Sequence, residues 1–165
     1  MSSSLRSLVR PYASADWPGV LDTCMQAFAP IYAGFEHALG HELFALLYPD
    51  WKASSELYLR SICEQNVSQG FLVAEVRGQV AGFVHYEFDG NKQSGELGLN
   101  AVHPRWQRHG IAVQMYLRVM EIMQAKGLKF VRVSTGGDSA HLPARLAYEK
   151  CGFVPLPIVN YFKKL

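Results

Sequence analysis

Val102-His-Pro-Arg-Trp-Gln107-Arg-His-Gly110-Ile-Ala112 runs from the end of an apolar β-type segment into the start of a helical one. Glu96–Val102 has the pattern of a strand and stops before Pro104. From Gly110 to Lys126, Ile111, Met115, Val119 and Ile122 recur at helical spacing, and Gly127 follows as a stop. The opening amides of a helix have no partners within it, and the aligned peptide dipoles make that end electropositive. A phosphate can accept from several of those N–H groups at once. Gly110 removes a side chain where the ligand would approach, Ala112 keeps the first turn slim, and Arg105, Arg108 and His109 add donors nearby. The stretch lacks the Lys-Ser/Thr ending of a P-loop and the three-glycine spacing of a dinucleotide fold. On its residues alone it reads either as a pyrophosphate site or as an ordinary strand-to-helix turn.

Outward from this loop, Leu5–Pro11 reads as a first strand, with Ser14 or Asp16 as cap of the next helix and Pro18 in its first turn. Val20, Leu21, Cys24, Met25 and Phe28 give that helix its apolar face. Between Pro30 and Gln65, Phe35, Leu39, Leu43, Leu46 and Leu47 suggest one helix and Trp51–Cys63 another, with Gly34, Gly40 and Pro49 as interruptions. Phe71–Val76 and Gln79–Phe88 flank the turn Arg77-Gly78 as a hairpin, and Asp89–Gly95 is a polar loop. Phe130–Ser134 suits a short buried strand, Ala140–Lys150 a helix, and Cys151-Gly152-Phe153 a turn into a last strand ending near Phe162. This order predicts one α/β domain over residues 1–165, a mixed sheet with helices on both faces.

The remaining composition narrows the function. At 49% hydrophobic and 18% charged, the chain can bury a core and is no disordered segment. A net charge of +2 without a basic run gives no nucleic-acid footprint. Cys24, Cys63 and Cys151 are odd in number and lack metal-ligand spacing, which suits reduced thiols in a cytoplasmic protein. No window approaches the roughly 20 apolar residues needed to span a bilayer. His37 and His41 share a helical face, but the zincin pattern fails and no metal is expected. Asp138, Ser139 and His141 stand too close together in the chain for a triad.

Two stretches carry a resemblance. Gln107-Arg-His-Gly110-Ile-Ala112 resembles the Q/R-x-x-G-x-G/A signature of the GNAT family of N-acetyltransferases, preceded as is usual there by Val102-His103-Pro104. Ala144-Arg-Leu-Ala-Tyr148-Glu-Lys-Cys-Gly152-Phe153 is similar to that family's later motif. Their order and separation match, and the resemblance extends from about Gly70 to the C-terminus. It implies a mostly antiparallel sheet with one splayed parallel strand pair, and acetyl transfer from acetyl-CoA to an amine in one ternary complex. It also implies that Asn100, Ala101, Val102, Gln107, Arg108, His109, Gly110, Ile111, Ala112, Val113 and His141 bind the cofactor. The Val102 N–H would polarise the thioester carbonyl. Tyr148 would protonate the departing thiolate; an ordinary phenol pKa near 10 and a thiol near 8.5 make that transfer mildly uphill.

His141 stands where the family more often has asparagine. Glu96, at the start of the strand before the loop, is the candidate general base, with His85, Glu87 and Asp89 near the neighbouring strand's end as other acceptors. The acceptor is a small-molecule or peptide amine. The aromatic-rich segment from Phe28 to Tyr58 forms core, part of an amine pocket or a homodimer contact. A longer acyl donor, or a non-catalytic acyl-CoA-binding domain, are the alternative functions.

Overall fold

A computed structural model describes residues 7–65, 70–89, 91 and 93–165. The Ser2–Ser4 run, Leu5 and Arg6 of the expected first strand, and Gly90 and Lys92 of the polar loop lie outside them. The described strands β1 (Leu8–Pro11), β2 (Phe71–Val76), β3 (Gln79–Asp89), β4 (Ser94–Val102) and β5 (Phe130–Val133) form one sheet in that order. The pairs β1–β2, β2–β3 and β3–β4 are antiparallel; β4–β5 is parallel. Arg77 and Gly78 both adopt positive φ, 51° and 76°, as the two central residues of a tight hairpin turn with the right-handed twist require. This mixed, mostly antiparallel sheet is the arrangement expected from the resemblance.

Helices cover both faces, and strand alternation supplies a core to each. On one face, α1 (Trp17–Leu39) and α3 (Trp51–Gln65) bury Val20, Cys24, Leu59 and Ile62 against Phe71, Val73 and Phe83. On the other, α4 (Ile111–Ala125) and α5 (Leu142–Lys150) bury Met115, Tyr116, Val119 and Tyr148 against Leu72, Val84, Tyr86 and Leu97. Each such side chain contributes roughly 1.5–3 kcal/mol on leaving water. Asp16 does not cap α1 through its side chain; its carboxylate accepts from the Ala13 N–H and from both terminal nitrogens of Arg10, at 2.7–2.8 Å.

Two segments differ from the sequence reading. α1 continues through Pro30 and Gly34 to Leu39, because its first half is held against the sheet from Trp17 to Phe28 and its second half packs Tyr32 and Phe35 on Tyr48 and Trp51. The break falls at Gly40 (φ 77°), so the single helix expected over Phe35–Leu47 is divided between α1 and α2 (His41–Leu47). The second correction concerns the last strand. Beyond Phe153 the chain has no strand or helix, and its apolar side chains are exposed. A strand needs a partner to satisfy its backbone groups, and this segment pairs with none among the described residues.

Candidate active site

β4 is the element around which the site is built. Its pairing with β5 begins at Ser94↔Phe130 and ends at Leu97↔Val133, while its pairing with β3 continues to Val102↔Gly82. From Gly98 to Val102, β4 therefore has a partner on one edge and an open edge on the other. The His103 N–H donates to the Ala81 carbonyl (2.9 Å), towards β3. Successive amides on a strand point to opposite edges, so the Val102 N–H is directed to the open side.

The open edge leads into the loop Gln107–Ala112. Pro104–Trp106 form a single 3₁₀ turn, with the Arg105 N–H donating to His103 Nδ1 at 3.1 Å. Gln107 Nε2 donates to the Val102 carbonyl (3.0 Å), tying the loop to the strand end. His109 Nδ1 donates to the Gln107 carbonyl (2.8 Å), so this ring braces the loop from within. Arg108 (φ 65°) and Gly110 (φ 77°) are both left-handed. The first intrahelical bond runs from the Gln114 N–H to the Gly110 carbonyl (3.1 Å). The amides of Ile111, Ala112 and Val113 thus precede the helical ladder. Among the described residues, no atom beyond its chain neighbours lies within 4 Å of where a Gly110 Cβ would stand, which leaves that side of the amides open. Ile111 is fully buried and anchors the turn, while the Arg108 side chain is exposed. The loop meets the chemical needs of a diphosphate.

Tyr148 comes to the same strand end from α5. Its ring stacks on Tyr116 of α4 at 4.9 Å between centroids. Asn100, from β4, joins the two phenols: its Oδ1 accepts from Tyr116 Oη (2.6 Å), and its Nδ2 donates to Tyr148 Oη (3.1 Å) and to the Gly98 carbonyl (2.9 Å). The tyrosine proton is left with a long 3.3 Å contact to Asn100 Oδ1. Burial pushes the Tyr148 pKa up, opposed by the hydrogen bonds from Asn100 and Tyr116. The proton gap to a thiol is thereby widened rather than narrowed, and the phenol stays protonated through the neutral range. Tyr116 was not among the residues singled out by sequence. Its only signal there is a hydroxyl carried on the otherwise apolar face of α4.

Glu96 and His141 take partners outside this cluster, while Ala101 shares the open edge through its backbone. Glu96 forms an ion pair with Arg132 of β5 (2.5 Å). Ala101 packs into the α1–α3 core. His141 Nδ1 donates to Asp138 Oδ2 (2.6 Å), and its ring stacks on Phe35 of α1. Arg145 closes the same loop by donating to the Gly136 and Asp138 carbonyls, both at 2.7 Å. The aromatic rings Tyr32, Phe35, Phe44, Tyr48 and Trp51 do converge, with Tyr32 stacked on Trp51 at 4.4 Å. Among the described residues no group of three potential ligands is placed to hold a metal.

His85 is the most unusual polar group here. It is 2% exposed, and neither ring nitrogen makes a hydrogen bond among the described residues. The nearest carboxylate oxygen, Glu87 Oε1, is 3.4 Å from Nε2. Its ring lies against Gly98, where an added Cβ would come within 2.5 Å of Nδ1. The β3–β4 register shifts at this point, between Val84 and Tyr86. Burial lowers the His85 pKa, against the upward pull of Glu87 and Glu96. It is held neutral.

A profile of the Acetyltransferase (GNAT) family matches residues 37–153, and the chain belongs to that family. Its members draw the acetyl group they transfer from acetyl-CoA. The fold is shared with PaiA N-acetyltransferase from Thermoplasma acidophilum, solved with coenzyme A (TM-score 0.65, 16% identity, 88% of each chain covered). It is also shared with the ribosomal-protein-S18-alanine N-acetyltransferase of Escherichia coli (0.64, 17%, 92% of this chain and 80% of that one). A Brucella melitensis GNAT acetyltransferase solved with acetyl-CoA is similar too (0.60, 17%, 92% and 84%). Among the described residues no helix is long and apolar enough to cross a membrane.

Proposed function

We propose that this chain transfers an acetyl group from acetyl-CoA to a primary amine on a small molecule, a peptide N-terminus or a lysine side chain, by direct attack within one ternary complex. The observation that carries this reading is the open edge of β4 from Gly98 to Val102, which meets the free amides of α4 at one end and the Tyr148 phenol beside it.

The residues fit the cofactor. The amides of Ile111–Val113, with Gly110 and the exposed Arg108, suit its diphosphate, and the open edge of Asn100–Val102 suits its amide-bearing arm. When bound, acetyl-CoA supplies an activated thioester. The Val102 N–H is set to draw charge onto the thioester oxygen, and as a fixed backbone donor it needs no rearrangement to do so. Tyr148 holds the proton destined for the sulfur, with Asn100 and Tyr116 fixing its oxygen in place.

An alkylammonium, with a pKa near 10.4, must also lose a proton before its nitrogen can attack. Glu96 is engaged by Arg132, whose Nε and Nη2 both donate to its Oε2. His85 is neutral, lacks a hydrogen-bond partner and packs on Gly98, whose carbonyl accepts from Asn100 on the Tyr148 side. Its ring contacts Phe71 on the α1–α3 face, whereas Tyr148 belongs to the α4–α5 face. Proton acceptor and proton donor would thus flank the splayed strand from opposite sides.

A thiol-release assay over polyamines, amino acids, aminoglycosides and peptides tests the function. Turnover of at least one amine by the wild type, and its collapse in Tyr148→Phe, is the expected result. Tight CoA binding with no turnover across the panel would replace the enzyme with a binding module.

A further inference from the structure

Alternation along β3 places His85, Glu87 and Asp89 in one row, on the sheet face that also carries Phe71 and Phe83. The register sets Glu96 of β4 opposite Glu87, and Ser94 opposite Asp89. From β5, Arg132 stands beside Glu96 and Phe130 beside Ser94. Glu87, Asp89, Ser94, Glu96, Phe130 and Arg132 line a cleft of about 320 Å³. Its inner end lies at His85 and Gly98, where the open edge of β4 begins.

Two carboxylates directly opposite each other on neighbouring strands repel. Arg132 relieves one side of this pair, since its Nε and Nη2 both donate to Glu96 Oε2. Among the described residues no lysine or arginine pairs with Glu87. Its basic neighbour is His85, whose Nε2 faces Glu87 Oε1 at 3.4 Å. That ring is 2% exposed, and neither of its nitrogens makes a hydrogen bond among the described residues. Burial keeps it neutral, so it gives Glu87 no charge. One ligand can supply both missing partners: a cation between Glu87 and Glu96, and a hydrogen-bonding group for His85.

The chemistry of the cleft selects that ligand. A metal ion does not suit it, because among the described residues no three potential ligands converge. An ammonium needs only acceptors around it, and carboxylates are acceptors alone. His85 and Glu87 stand two residues apart, about 6.8 Å along the strand, close to the span of two nitrogens joined by four methylenes. Further out, the exposed Phe130 ring offers an apolar wall to a second run of methylenes, and Asp89 a further carboxylate. A peptide N-terminus would instead set a carbonyl beside Glu87 and Glu96, which have no proton to donate.

We propose that the acceptor is a linear aliphatic diamine or polyamine, whose terminal nitrogen reaches His85 at the opening of β4 and whose next ammonium is held between Glu87 and Glu96. In calling it an acceptor we rely on the acetyl transfer proposed above; occupancy of the cleft does not depend on it.

Calorimetry with the full chain compares diaminobutane with butylamine, which has the same carbon skeleton and one ammonium fewer. Diaminobutane is expected to bind about 10-fold more tightly. Glu87→Gln is expected to cut that ratio to about 3-fold or less, and Glu87→Asp to keep most of it, with circular dichroism unchanged in both. The His85 ring resonances are expected to shift on adding diaminobutane to the wild type. Equal affinity for the two amines, a ratio indifferent to Glu87→Gln, or magnesium chloride binding as tightly as diaminobutane would each overturn the assignment. In the thiol-release assay, faster acetylation of butylamine or a dipeptide than of diaminobutane overturns it while the reaction stands. Selective binding of diaminobutane with no turnover of any amine supports the cleft and removes the reaction.

Discussion

At Tyr148 the phenol oxygen is fixed by an amide donor from Asn100 while its own proton has only a long contact to lose. General acid catalysis typically contributes 10²–10⁴-fold, so Tyr148→Phe is expected to lower kcat by about 100-fold or more. CoA affinity, measured by calorimetry, changes little, because the hydroxyl is not among the groups suited to the diphosphate. Asn100→Ala removes the donor to Tyr148 and the acceptor of Tyr116 together, and is expected to lower kcat as well. His85→Gln tests the other proton. The folded pKa of His85 is lowered, so its neutral form persists below pH 6.5 and the acidic limb of kcat/KM lies under that value. The substitution is expected to cut kcat/KM about 100-fold at neutral pH and to abolish that limb. The buried thiols of Cys24 and Cys63 are pushed up to about 12 and about 11, chiefly by desolvation, which leaves them protonated and unreactive.

Among the elements, β4 and the start of α4 depend on glycines for different reasons. Gly98 is required by contact: a methyl there would meet His85 Nδ1 at 2.5 Å, so Gly98→Ala is expected to destabilise by about 1–3 kcal/mol in chemical unfolding. Gly110 is required by conformation, with φ at 77° and open space beside it. Gly110→Ala costs about 1–2 kcal/mol of backbone strain and also places a methyl on the side from which the diphosphate approaches. Gly78→Ala, at φ 76° in the distant hairpin, imposes the same strain without that obstruction. Loss of CoA affinity in Gly110→Ala but not in Gly78→Ala, at matched stability, is the expected calorimetric result.

The whole molecule is expected to lose stability in acid in two stages. The lowered folded pKa of His85 means that the unfolded chain takes up its proton first as pH falls below about 6.5. Stability is therefore complete above that value and declines below it. The carboxyls of Asp16 and Asp138 are also held below the usual range. For Asp16 the Arg10 hydrogen bond outweighs burial; for Asp138 burial opposes, and bonds from His141 prevail. Their contribution is present above the ordinary aspartate value and is lost as pH drops through the lowered one. Thermal unfolding from pH 8 to pH 3 should show both declines, the first absent in His85→Gln and the second reduced in Arg10→Gln.

Local chemistry was enough to locate much of this protein. Alternating apolar residues, the Arg77-Gly78 turn and the helix-spaced face beginning at Ile111 specified β2, β3, β4 and α4 within a few residues, because each depends on neighbours close in the chain. The loop to Gly110 was legible for the same reason, as its amides and left-handed glycine are properties of one short stretch. Continuation of α1 through Pro30 was not legible, since packing on both sides of it, on the sheet before and on Tyr48 and Trp51 after, overrides the local penalty. Nor was the meeting of Asn100, Tyr116 and Tyr148, drawn from three elements, or the burial of His85 against Gly98 at a register shift. The apolar segment after Phe153 has the composition of a strand. Whether it becomes one depends on an edge to pair with, and only the folded chain shows that it pairs with none of the described strands.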